Sequence, residues 1–150
     1  MREELETDIA DFLQEIFDLG EFDLEVGVRL TDDGLKALIS GDDVSILLAR
    51  NAELLDALEY LCNRVFAHEP GVENRIVLDS ANYRLRREKE LKLMAEKAAE
   101  RVRTSRVPFS FDPMSPNERR IVHLALVEDT SVKTESRGDG PDRKVTIFPA

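Results

Sequence analysis

Arg119 and His123 stand four residues apart in the run Glu118-Arg-Arg-Ile-Val-His-Leu-Ala-Leu126. In a helix that spacing puts both side chains on one face. A guanidinium presents paired donors that fit phosphate oxygens, and its plane also stacks on a base. An imidazole is flat, stacks, and exchanges hydrogen bonds. Together they suit a polyanion carrying flat bases. Taken alone, the same pair also reads as an ordinary surface pair or as a buried, hydrogen-bonded histidine.

The neighbouring residues supply the elements that would hold this pair. Ser115-Pro-Asn-Glu118 is a helix start, with Ser115 as cap, Pro116 in the first turn and Glu118 three residues after the cap. The helix then runs over 117–127, with Ile121, Leu124 and Ala125 directed into a core. Residues 84–105 read as a long basic helix with an apolar stripe of Leu91, Met94, Ala95, Ala98 and Val102. Lys89, Lys92 and Lys97 fit a solvated surface, whereas Arg84 and Arg87 near its start are candidate phosphate contacts. Val107–Asp112, Ser131–Ser136 and Arg143–Phe148 alternate apolar and polar residues and read as strands. Arg137-Gly-Asp-Gly-Pro141 makes the last two a hairpin. The expected unit is a three-stranded sheet covered by two helices. Tyr83 is the one aromatic ring beside the basic helix, so little base stacking is expected.

Charge divides the chain unevenly. The whole sequence has a net charge of −10, which argues against a polyanion as ligand. Residues 1–78, however, hold 6 Lys/Arg against 19 Asp/Glu, while residues 84–106 hold 9 against 4. Screening limits the reach of charge to about 8–10 Å, so local balance decides phosphate attraction. The C-terminal half is the candidate binding unit.

The N-terminal half alternates element types. Leu5, Ile9, Phe12, Leu13, Ile16 and Phe17 form one helical stripe, and Gly20 is placed as the terminating glycine. Phe22–Leu30 and Leu35–Ile39 read as a hairpin about the turn Thr31–Gly34. A helix over 53–66 directs Leu54, Leu55, Leu58, Leu61, Cys62 and Val65 inward, and Arg75–Asp79 is a third strand. The order is helix, strand, strand, helix, strand.

These segments resemble a known family. Leu55-Asp-Ala-Leu-x-Tyr-Leu-x-Asn63 is similar to the KH segment of bacterial Jag proteins, also called SpoIIIJ-associated or KhpB proteins. Met114-Ser-Pro-Asn-Glu-Arg-Arg-Ile-Val-His123, Val132-Lys-Thr-Glu-Ser-Arg-Gly138 and Arg143-Lys-Val-Thr-Ile-Phe-Pro149 resemble the R-3-H domain, named for Arg-x-x-x-His. Asp79-Ser-Ala-Asn-Tyr-Arg-Leu-Arg-Arg87 looks like the family's link between the two. The resemblance implies an α+β chain of two small domains, a KH-like α-β-β-α-β unit over 1–80 and an R-3-H unit over 81–150. It also implies binding of single-stranded nucleic acid, RNA or DNA, centred on Arg119 and His123. Arg120, Lys133, Ser136, Arg137, Arg143 and Lys144 are supporting candidates, while Thr134 and Ser136 also fit ordinary strand hydrogen bonding.

One departure from the family is specific. A KH domain clamps the nucleic-acid backbone with Gly-x-x-Gly, because glycine lets the chain approach phosphate. Here Ala49-Arg50-Asn51-Ala52 occupies the loop, and two methyl groups stand on the approach surface. A degenerate loop, weak or inactive toward RNA, is expected. The helix after it offers a surface for a KH-domain partner protein or for a homodimer. No counterpart of the separate N-terminal domain of Jag proteins is expected, since the sequence opens on the KH-like helix.

Other classes of function find less support. Cys62, His68 and His123 are the only thiol and imidazoles, so no nucleophile–base pair is apparent and no enzyme is expected. No cofactor or metal is expected, because Asp32-Asp33 and Asp42-Asp43 suit solvated turns. No apolar run is long enough for a membrane span, and a cytoplasmic location is the simplest reading. The leading expectation is a Jag-like RNA-binding regulator. The competing one is a protein-interaction scaffold with weakened RNA binding, favoured by the acidic first half and the altered loop.

Overall fold

The structure is a computed structural model that describes residues 2–73 and 75–150. It contains both helices and strands and divides into two compact units, one ending at Arg84 and the other starting at Leu85.

The first unit contains α1 (Arg2–Leu19), β1 (Glu25–Thr31), β2 (Gly34–Ser40), α2 (Val44–Leu47), α3 (Ala49–Val65) and β3 (Val77–Asp79). β1 and β2 are antiparallel with Val28 opposite Ala37, and β3 joins β2 in parallel. Ile9, Leu13 and Phe17 of α1 are buried against Ala37 and Ile39 of β2, Leu55, Leu58 and Cys62 of α3, and Leu78 of β3. Each Leu, Ile or Phe side chain so removed from water contributes about 1.5–3 kcal/mol.

Three local expectations are corrected. The left-handed residue after α1 is Glu21, with φ 55°, and not Gly20. Gly20 is needed for space, since a Cβ there would stand 2.6 Å from the Phe22 ring. The strand expected from Phe22 begins at Glu25, because Phe22 and Leu24 go into the core before the ladder starts. On α3, Leu61 and Val65 are 45% and 54% exposed. The helix is covered on one side only, and the arc Leu55, Leu58, Cys62 takes that side.

The second unit comprises the rest of α4 (Tyr83–Ser105), then β4 (Phe109–Ser110), α5 (Pro116–Leu126), β5 (Val132–Arg137), a 3-10 turn at Gly140–Asp142, and β6 (Lys144–Pro149). The sheet order is β4-β6-β5, with both pairs antiparallel. One sheet face carries Val132, Val145 and Ile147 into a core with Leu91, Ala95, Ala98, Ala99 and Val102 of α4 and Val122 and Leu126 of α5. The alanines of α4 allow close approach to neighbouring side chains. Met94 and Leu124, expected inside, are 43% and 58% exposed. Each lies one position off the arc its helix buries.

Candidate nucleic-acid interface

The chain positions α5 through its first turn. Ser115 Oγ accepts from the Glu118 amide at 3.2 Å, and the Glu118 carboxylate accepts from the Ser115 amide at 3.3 Å. This reciprocal cap satisfies two backbone donors that a helix start leaves open. Glu118 is 8% exposed, and its other oxygen accepts from Arg87 Nε at 2.7 Å.

Arg119 and His123 lie on the next two turns, both half-buried, and His123 reaches β5. His123 Nδ1 is 2.7 Å from Thr134 Oγ1, and Nε2 is 2.9 Å from Ser136 Oγ. A neutral imidazole has one donor and one acceptor, so two hydroxyls satisfy it completely. Burial, and then the nearby Arg119 charge, push the His123 pKa below its ordinary 6.5, which favours that neutral ring.

Arg119 is different. Its Nε and Nη1 are out of contact with water and have no hydrogen-bond partner. Leaving a buried donor unsatisfied costs about 1–3 kcal/mol, and more when it is charged. No carboxylate neutralises this guanidinium among the described residues. The site is thus a half-buried cation without a counter-charge beside a ring held by two hydroxyls, and an anion at its open edge would neutralise it.

The remaining candidates fall into distinct places. Arg120 is exposed on α5 and makes no ion pair among the described residues. Ser136 shares the Arg119 side through His123. Lys133 and Arg137 alternate with Thr134 and Ser136 and project from the opposite sheet face, where Lys144 pairs with Arg137. Arg137 gives Nε and Nη2 to Glu135 at 3.1 and 2.9 Å. Arg143 is exposed, with Nη1 3.3 Å from the Gly138 carbonyl oxygen.

Arg84 and Arg87 are both occupied. Arg84 lies in the first unit, donating to Asp56 at 2.5 Å, Glu59 at 2.9 Å and the Leu78 carbonyl at 3.2 Å. Arg87 holds Glu118 and is 3.2 Å from Glu90. Carboxylates already neutralise both guanidiniums, and they act as clamps of the fold. Tyr83 packs against the first-unit core.

The loop Ala49-Arg50-Asn51-Ala52 joins α2 to the regular part of α3. Arg50, Asn51 and Ala52 all have left-handed backbones, with φ of 53°, 56° and 61°. Ala49, Arg50 and Asn51 are exposed, whereas Ala52 is fully buried. Arg50 lies 3.7 Å from Glu53, an exposed pair of little energetic weight.

Two further residues hold these side chains in place. Thr134 is the second anchor of His123, and the period-two spacing from Ser136 in Thr134-Glu-Ser136 is the signal that places them together. Phe148 carries the Arg137 guanidinium 4.4 Å above its ring. That contact joins residues distant in sequence and leaves no local signal.

The R-3-H domain family matches residues 89–149. The chain is 34% identical over 148 residues to the RNA-binding protein KhpB of Clostridium symbiosum, covering 97% of this chain and 67% of the relative. It is 30% identical over 125 residues to the RNA-binding protein KhpB of Bacillus subtilis (strain 168), covering 82% and 60%. It is 31% identical over 102 residues to the RNA-binding protein KhpB of Lactiplantibacillus plantarum, covering 68% and 32%. The match to the first of these relatives runs through nearly the whole chain, both units included, and on that ground the chain belongs to the KhpB family.

Proposed function

We propose that this chain is an RNA-binding protein that takes single-stranded RNA on the α5–β5 side of its second unit. The observation that carries the reading is the Arg119 guanidinium, whose buried Nε and Nη1 lack acceptors beside a fully satisfied His123. A phosphate oxygen meeting the open part of this half-buried side chain supplies the missing counter-charge and removes the cost of an unpaired cation. Arg119 is then the direct contact, and His123 fixes the surface around it. Arg120 adds a freely placed cation. Membership of a family whose relatives carry the name RNA-binding protein supports the same conclusion.

The first unit we read as KH-like with a degenerate loop, contributing little to RNA affinity. Its loop lacks glycine, and its one cation stands beside Glu53. The exposed Tyr60, Leu61 and Val65 on α3 suit a KH-domain partner or a second copy. The chain works by binding and not by catalysis, since its one thiol is buried with its pKa pushed up to about 12. No described helix is long and apolar enough to cross a membrane, and a cytoplasmic setting completes the reading.

A salt titration tests the function. The full chain is expected to bind a short single-stranded RNA with affinity that falls steeply as salt rises. Arg119→Ala lowers the affinity and reduces the logarithmic salt slope by about one. The same titration with the matching DNA separates the two backbones. Absence of binding at low salt overturns the proposal.

A further inference from the structure

The face of the β4-β6-β5 sheet turned away from the helices carries a group that the phosphate site leaves unused. Pairing of β5 with β6 sets Lys133 opposite Phe148, Glu135 opposite Thr146 and Arg137 opposite Lys144, all on this face. By register Arg137 stands four residues along β5 from the partner of Phe148. Its side chain therefore folds back along the strand to bring the guanidinium 4.4 Å above the ring. Glu135 takes Nε and Nη2 at 3.1 and 2.9 Å and fixes the plane from its edge. Arg137 remains 57% exposed at its side chain, so the surface turned away from the ring is open.

This arrangement suits one kind of contact. The two nitrogens given to Glu135 are withdrawn from phosphate, and the carboxylate offsets the charge. What remains is a flat, delocalised cation held against an aromatic ring, with its other surface facing outward. Bases of single-stranded nucleic acid stack on guanidinium planes as well as on aromatic rings. The flanking Lys133 and Lys144 are exposed cations, so the face suits a strand carrying phosphates. Arg137 follows Ser136, whose hydroxyl sits on His123, and β5 is an edge strand of the sheet. Ser136, on the His123 side, and Arg137, on the platform side, are thus consecutive residues facing opposite ways on one strand.

Resting on the RNA-binding reading above, we infer that Arg137, backed by Phe148 and held by Glu135, is a stacking platform for a nucleobase of the bound strand. The strand turns around the edge of β5, with phosphate at Arg119 on one side and a base on Arg137 on the other. Arg137 is a specificity-neutral contact, because every base has a face to stack.

The test uses the full chain and a short single-stranded RNA carrying the fluorescent adenine analogue aminopurine, scanned through successive positions. Binding to the wild type is expected to quench the fluorescence at one position. Arg137→Lys keeps the charge and loses the plane. It should abolish that quenching and weaken binding about fivefold or more, with the salt slope unchanged. Phe148→Leu, which removes the ring behind the guanidinium, should act in the same direction. Arg119→Ala runs in parallel as the control for the phosphate site. If Arg119→Ala behaves as expected while Arg137→Lys keeps both quenching and affinity, the platform is wrong and the RNA-binding reading stands. A reduced salt slope in Arg137→Lys also overturns it, since Arg137 would then contact phosphate. If the wild type fails to bind, the underlying reading fails first.

Discussion

Arg87 Nε donates to Glu118 at 2.7 Å, and Glu118 is the residue that closes the cap immediately ahead of Arg119. The side chains are 17% and 11% exposed, so a charge-assisted bond of this kind is only slightly screened. One arginine therefore fixes the helix that carries the other, the proposed phosphate contact.

Arg87→Ala is expected to destabilise the second unit by about 3 kcal/mol, because it leaves a carboxylate buried without its partner. Hydrogen exchange at the α5 amides measures that loss. Arg120→Ala should have the opposite profile, with unchanged exchange and a salt slope of RNA binding lowered by about one. Equal effects of the two on the salt slope would return Arg87 to the phosphate contacts.

His123 makes the second unit sensitive to acid. Its pKa in the folded chain is depressed below 6.5 by burial and by Arg119. Between that value and 6.5 the unfolded chain binds more protons than the folded one, so stability falls as pH falls through this window. A bound phosphate stabilises the imidazolium and raises the pKa toward its ordinary value. Titration of the His123 ring by NMR, with His68→Gln to assign the signal, should show an upward shift when RNA is added. Reciprocally, RNA affinity increases as pH drops through the same range.

Cys62 should be unreactive in the native protein. The thiol is fully buried in α3, and burial together with Glu59 pushes its pKa up to about 12. The thiolate is the reactive form, so alkylation under native conditions reports opening of the first unit. Labelling is expected to accelerate sharply in denaturant. Rapid labelling of the native chain would contradict the burial.

The left-handed loop before α3 gives paired expectations. Arg50 is exposed at φ 53°, and a non-glycine residue there carries about 1 kcal/mol of strain. Arg50→Gly should stabilise the first unit by about that amount. Ala52 at φ 61° is fully buried, so Ala52→Gly gains conformational freedom but loses a packed methyl worth about 0.8 kcal/mol. Its net effect should be close to zero. Gly41→Ala should be severely destabilising, since a Cβ would stand 2.2 Å from the Asp23 carbonyl oxygen at φ 137°. Urea unfolding of the three variants ranks them.

Features fixed by near neighbours were legible in the sequence. Ser115, Pro116 and Glu118 set the start of α5, and a spacing of four put Arg119 and His123 on one helical face. Alternation along 131–136 marked β5, because side chains on a strand point to opposite faces in turn. Apolar spacing identified helices α1, α3 and α4, though not which outer members of each stripe, such as Leu61, Met94 and Leu124, would stay exposed.

Tertiary structure decided which of the cations are available. Arg84 meets Asp56 and Glu59 across 28 and 25 residues, and Arg87 meets Glu118 across 31. A charge count cannot reveal such partners, since Coulomb attraction acts through space and not along the chain. The same holds for Phe148 under Arg137 and for the hydroxyls around His123. The buried donors of Arg119 that remain without a partner are defined only after every neighbour has taken its place, because hydrogen-bond satisfaction is a property of the packed fold.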